Sequence, residues 1–229
     1  MPINFDTLKT SEDGLRKLFL EFFNHVLESQ DYLLKKFAPS KHLSSVAYNY
    51  IVNRERIANQ YEAQILDEAC WIISKDQPRA AHLRYIIAIL RSIKDLERMG
   101  DFVERVSRIL YNQKNVDDTI HREIVKLMEA SQEFGSKIYK HLLSGSKNTR
   151  EYYKHATENF LDFSSKYRSC FKNIGQKIFK AKKDVTSKIA IFTAIKHIER
   201  NADHAFNILE NFVYITEPDF YFRKETRKK

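Results

Sequence analysis

The chain has 229 residues, 43% of them hydrophobic and 30% charged, which excludes a disordered tail and leaves enough apolar mass for a packed core. With only 5 Gly and 4 Pro, a turn-rich β architecture is excluded and long helices with few connections are expected. A formal net charge of +9 raises a polyanion-binding role, but Lys and Arg are spread over every segment and the tight run 223–229 reads as a solvated tail, so no nucleic-acid partner is expected.

Apolar periodicity predicts six helices in chain order. The first starts near Thr10 and Ser11, whose hydroxyls suit an N-cap, carries Leu15, Leu18, Phe22, Val26 and Leu33, and breaks at Ala38-Pro39-Ser40. The second covers about 43–74. The third follows Asp76-Gln77-Pro78, with the proline placed in its first turn, and ends near Tyr111. A fourth covers about 119–143 and stops at the joint Ser144-Gly145-Ser146-Lys147-Asn148. The fifth covers about 150–180, and the sixth about 184–216, before Glu217-Pro218.

The opening Met1-Pro2-Ile3-Asn4-Phe5-Asp6 has no basic region followed by an apolar stretch, so no secretory leader is expected. The longest apolar run, Tyr85 to Leu90, is far below the ~20 residues of a membrane span, and a cytoplasmic location without a transmembrane segment follows. Cys70 and Cys170 fall in apolar helical segments, where small buried thiols are expected rather than a disulfide or a zinc site.

An internal repeat organises the chain. Ile93-Lys94-Asp95-Leu96-Glu97-Arg98-Met99-Gly100-Asp101 recurs 102 residues later as Ile195-Lys196-His197-Ile198-Glu199-Arg200-Asn201-Ala202-Asp203. The same shift carries Ile86, Ile89, Ile93, Leu96, Gly100, Val103, Val106 and Leu110 onto Lys188, Ile191, Ile195, Ile198, Ala202, Ala205, Ile208 and Phe212. Seven of these eight pairs keep a small or apolar residue, so the third and sixth helices are equivalent, each with one apolar seam. The expected architecture is all-α: two tandem three-helix bundles related by duplication, 1–114 and 115–217, followed by a basic tail 218–229. Because a single three-helix unit has a modest core, the halves are expected to pack side by side.

Glu97 and Asp101 are four apart, as are Glu199 and Asp203, so each pair shares a helix face beside the seam. Two such carboxylates need compensation, either from basic neighbours such as Lys94, Arg98, Lys196 and Arg200 or from a hard cation. Catalysis is not expected. A di-iron bundle needs two inward Glu-x-x-His motifs, whose nearest approximation here, Asp118 to His121, falls at a helix start, and no phosphate-cradling glycine loop is present.

In order, the chain presents Asp67-Glu68-Ala69-Cys70, Gln77-Pro78, His82-Leu83-Arg84, Leu96-Glu97-Arg98-Met99-Gly100-Asp101, and then Ile198-Glu199-Arg200-Asn201-Ala202-Asp203-His204-Ala205-Phe206-Asn207. This order, present twice and covering nearly the whole chain, resembles the PhoU family. The resemblance implies paired three-helix bundles, a homodimer, and acidic motifs that hold multinuclear metal such as iron, zinc or magnesium in some members. It carries that metal role onto Glu97, Asp101, Asp67 and Glu68 in the first half and onto Glu199, Asp203, Asn207 and His204 in the second. His82, Arg105, Asn201 and Ala202 depart from the family pattern, and Ser169 and Cys170 stand where Asp67 and Glu68 would map, so a weaker or absent cluster is expected in the second half. The function implied is regulation of phosphate uptake: an adaptor that restrains the cytosolic subunits of a phosphate ABC transporter and assists a sensor kinase where one exists. The alternative from another class is a carboxylate-based protein for metal binding or storage.

Overall fold

A computed structural model describes residues 5–113, 116–146, 148–180 and 185–219. Six helices follow in chain order: α1 (Phe5–Phe37), α2 (Ser45–Asp76), α3 (Ala81–Asn112), α4 (Asp118–Ser144), α5 (Thr149–Lys180) and α6 (Val185–Thr216). Among the described residues there is no strand. The expected division at 114 and 115, and residues 220–229 of the basic tail, lie outside the described residues.

Each helix is a rod of roughly 40–50 Å at ~1.5 Å per residue, so antiparallel neighbours bury apolar stripes along most of their length. The seam read from the sequence is the buried face of α3: Ile86, Ile89, Ile93, Leu96, Met99, Gly100, Val103, Val106 and Leu110 all lie inside. On α6 the matching residues Ile191, Ile195, Ile198, Ala202, Ala205 and Ile208 are buried. Only the ends of that stripe, Lys188 and Phe212, are half-exposed.

Helices α1, α2 and α3 pack on one another, as do α4, α5 and α6. Equivalent helices then meet across the halves, α1 against α4 and α3 against α6, the latter being the most extensive contact in the molecule. The two bundles therefore face each other about a local two-fold, with α2 and α5 on the flanks. Aromatic side chains of α1 bind this arrangement together. Phe19, Phe22 and Phe23 are fully buried, and their rings lie 5.4 Å from Phe212 on α6, 5.6 Å from Tyr61 on α2 and 5.6 Å from Tyr139 on α4 respectively.

The ends follow local chemistry. Ser44 and Asp117 cap α2 and α4 by accepting hydrogen bonds from the backbone N–H of Ala47 and of Thr119. The stop expected at Ser144-Gly145 is present: Gly145 takes φ 64°, and its N–H returns to the Leu142 carbonyl. Arg16 of α1 donates to the Leu142 and Leu143 carbonyls at 2.8 and 3.0 Å, which ties the C-terminus of α4 to the other half.

Three expectations are corrected. The first helix begins at Phe5, before Thr10, because Leu8 is buried and extends the seam, while the Thr10 hydroxyl donates to the Asp6 carbonyl inside the helix. The third helix begins at Ala81, so Pro78 lies in the turn and not in the first helical turn; Gln77 and Ala80 both take positive φ there. Cys70 is exposed on α2, since it falls outside the stripe of Ile65, Ala69 and Ile72; Cys170 is buried as expected, and both thiols are free.

Small residues set the α2–α3 distance. A Cβ at Gly100 would meet the Ala58 Cβ at 3.4 Å, an ordinary contact. Gly100→Ala should therefore be neutral to slightly stabilising in thermal melts, since alanine suits a helix better by about 1 kcal/mol. Gly100→Leu should cost about 1–3 kcal/mol by forcing the helices apart.

A pH dependence follows from His141, whose ring stacks on Tyr152 at 3.8 Å and whose buried Nε2 has no hydrogen-bond partner among the described residues. Burial holds its pKa below the ordinary 6.5. The unfolded chain therefore takes up a proton below about pH 6.5 that the folded chain refuses, and stability must fall as pH drops through that range. The limit is ~1.4 kcal/mol per pH unit, reduced here because the ring is partly exposed. His141→Phe should flatten the acid side of a plot of Tm against pH.

Candidate functional site

The carboxylate pairs occupy matched, half-buried positions on α3 and α6, beside the seam and facing the flanking helices. In the first half, burial raises the Glu97 pKa, helped by Asp101 one turn away and by Glu62 of α2. Glu62 is itself held by Lys94 at 2.5 Å, and Asp101 by Arg105 at 3.2 Å. In the second half, burial together with Glu199 pushes Asp203 up to about 6, and Lys196 sits 2.5 Å from Glu199. Tyr167 of α5 takes the place on this face that Glu62 takes on the other: Glu199 and Asp203 raise its pKa after burial does, and Lys196 lies 5.6 Å over its ring.

Cations therefore already accompany these acids. Among the described residues, no three His, Cys, Asp or Glu side chains converge on a point that could hold a metal ion. The α2 carboxylate that bears on Glu97 is Glu62, which sequence reasoning did not single out, whereas Asp67 is exposed and Glu68 half-exposed.

The remaining candidates, His204 and Asn207, belong to a different constellation at the α3–α6 crossing. There the Asp95 carboxylate accepts from three α6 side chains: His204 Nδ1 at 2.7 Å, Asn207 Nδ2 at 3.3 Å and Asn211 Nδ2 at 3.3 Å. Asn211, buried, also donates to the Ser92 hydroxyl at 3.2 Å. One acid thus collects a ladder of donors spaced by three and four on the facing helix.

The two-fold explains the pattern around it. The shift of 102 maps Asp95 onto His197 and Phe102 onto His204, so the mate of the Asp95–His204 contact is His197 with Phe102, whose rings stack at 5.1 Å. Met99 maps onto Asn201, and these two meet at the centre, where Asn201 Nδ2 donates to the Met99 carbonyl at 3.2 Å. Asn201 in turn accepts from Gln30 of α1 at 2.6 Å, all within the buried interior. His197, which replaces Asp95 across the repeat, and the departure Asn201 are thus among the residues with which α6 meets α3. Asp95 was not among the sequence candidates; its exchange for His197 across an otherwise conserved repeat was the available signal.

Beside this crossing runs a groove of about 530 Å³ lined by Leu90, Arg91, Lys94, Asp95, Asn207, Glu210 and Asn211. It mixes both signs of charge and has the character of a protein-contact surface more than of an enclosed catalytic pocket.

A family model described as the PhoU domain matches residues 41–110, the stretch holding α2 and α3. Protein MG409 of Mycoplasma genitalium is 30% identical over 96% of this chain and 98% of its own length. A Xylella fastidiosa protein named as a phosphate-specific transport system accessory protein PhoU homolog is 23% identical, with 93% of this chain and 87% of that protein covered. The crystal structure of the phosphate transport system regulatory protein PhoU from Streptococcus pneumoniae superposes with a TM-score of 0.78 at 21% identity, over 93% of this chain and 98% of that one.

Proposed function

The chain belongs to the PhoU family, and from that premise we propose that it is a non-catalytic regulatory adaptor of phosphate uptake that acts by binding the cytosolic subunits of a phosphate ABC transporter and restraining transport. The observation that carries this reading is the completeness of the duplicated architecture: both bundles are present, and the superposition leaves out almost nothing of a PhoU chain. A body of six packed rods with a mixed-charge groove beside the α3–α6 crossing suits docking and withdrawal better than turnover. No helix among the described residues is long and apolar enough to cross a membrane.

The test is co-purification of the full chain with the nucleotide-binding subunit of the phosphate transporter from its own source, alongside phosphate uptake in cells lacking the chain. Retention on the subunit and faster uptake in phosphate-rich medium are expected. An unchanged uptake rate combined with no retention at any phosphate level would reject the proposal.

One observation favours a second reading, metal binding on the acidic faces: Glu62 and Asp101 both crowd Glu97, and a divalent cation would relieve that repulsion once Lys94 turned away. Elemental analysis of protein purified without chelator decides it. Metal at stoichiometric levels that disappears in Glu97→Ala/Asp101→Ala supports the reading, and metal-free wild-type protein ends it.

A further inference from the structure

Arg168, Lys172, Lys177 and Lys188 stand on the second half of α5 and the first half of α6, together with Lys166 and Lys196, which pair with Asp162 and Glu199 at the margins of this region. No Asp or Glu falls within 163–180 or 185–198.

The same corner exposes large apolar side chains. Val185 is 66% exposed, Ile189 62% and Phe171 45%. Val185, Ile189 and Phe192 follow one another at spacings of four and three, so they share one face of α6. Phe171 of α5 joins that face through ring contact with Phe192 at 4.8 Å, and Tyr167 continues it 6.1 Å from Phe171. Lys172 and Lys177 stand exposed beside this apolar strip, with Lys188 half-buried within it.

We propose that this corner docks the protein onto an anionic lipid surface, the aliphatic and aromatic side chains entering the interface while the lysines meet the headgroups. The charge decides among possible occupants. A second copy of the chain would bring like charges together and be repelled. A nucleic acid would reward the lysines but gain nothing from exposed Val185 and Ile189. A membrane rewards both at once, because basic residues are drawn to anionic lipid while exposed apolar area leaves water. The flank helix α2 also exposes Val46, Ile57 and Trp71, but there the one lysine, Lys75, 5.7 Å over the Trp71 ring, shares the helix with Glu55, Asp67 and Glu68.

Co-sedimentation of the full chain with vesicles tests this, using phosphatidylcholine with and without phosphatidylglycerol. Binding is expected only to the vesicles containing phosphatidylglycerol, falling as salt rises. Lys172→Glu/Lys177→Glu should weaken it by about fivefold or more per lysine. Val185→Ser/Ile189→Ser should weaken it about tenfold while leaving the melting curve unchanged, since both side chains are exposed in the free protein. Trp71→Ser should bind as the wild type does. No binding to phosphatidylglycerol vesicles at low salt would overturn the proposal, as would Val185→Ser/Ile189→Ser binding undiminished. Equal retention of wild type and Val185→Ser/Ile189→Ser on duplex DNA, with no preference for vesicles, would make the corner a polyanion site instead.

Discussion

Phe23→Ala is expected to lower the unfolding free energy by about 3–5 kcal/mol, the range for deleting a fully buried phenyl ring from a core that cannot collapse around the gap. The ring stands edge-on to Tyr139 of the other half at 5.6 Å and lies 6.3 Å from Phe19, which itself reaches α6. Its loss therefore loosens the contact between the halves as well as the first bundle. Denaturation followed by circular dichroism should show a lower midpoint with both halves still unfolding in one transition. A variant that melts in two steps would show instead that the α3–α6 contact alone cannot couple the bundles.

The second large effect is expected at Asp95. Asp95→Ala removes the acceptor shared by His204, Asn207 and Asn211 and should cost about 2–4 kcal/mol, because donors at a packed helix crossing lose a charged partner together. His204→Ala should cost less, since Asn207 and Asn211 still satisfy the carboxylate. A double-mutant cycle between Asp95→Ala and His204→Ala should give a coupling energy of about 1–3 kcal/mol. Additive behaviour would mean that the 2.7 Å contact adds nothing to the α3–α6 interface. His197→Phe offers a further check within the cycle, because its partner Phe102 would then face an apolar ring and the stacking should survive.

These two sites differ in how visible they are before folding. Phe22, Val26 and the α3 seam were legible because burial in a helix bundle writes a period of 3.6 residues into the chain, and duplication wrote it twice. The stop at Gly145 was legible for a local reason: a helix end must satisfy its own backbone groups with residues nearby in sequence, whereas the cap at Asp117 was not singled out. The starts of α1 and α3 were less legible, since Leu8 is buried by tertiary packing and the turn at 77–80 holds two positive-φ residues without glycine.

The candidate site divides along the same line. Glu97, Asp101, Glu199 and Asp203 could be placed together in pairs from spacing alone, because four residues make about one helical turn. What faces them could be read only in part: Lys196, one turn from Glu199, was among the expected basic neighbours, whereas Glu62 and Tyr167 arrive from other helices. His204 follows Asp203 in sequence, yet a rotation of about 100° per residue turns it onto the neighbouring face, toward Asp95, where Asn207 and Asn211 continue the ladder.

By itself, the sequence determined the six helices, their apolar seams and the equivalence of the two halves, because each of these is a periodic property of a single strand of covalent bonds. Only the tertiary structure decided which equivalent helices meet and which side chains of other helices face each acid. Those depend on side chains from segments a hundred residues apart coming within a few ångströms, and hydrogen bonding, ion pairing and desolvation act over that distance in space, whatever the separation along the chain.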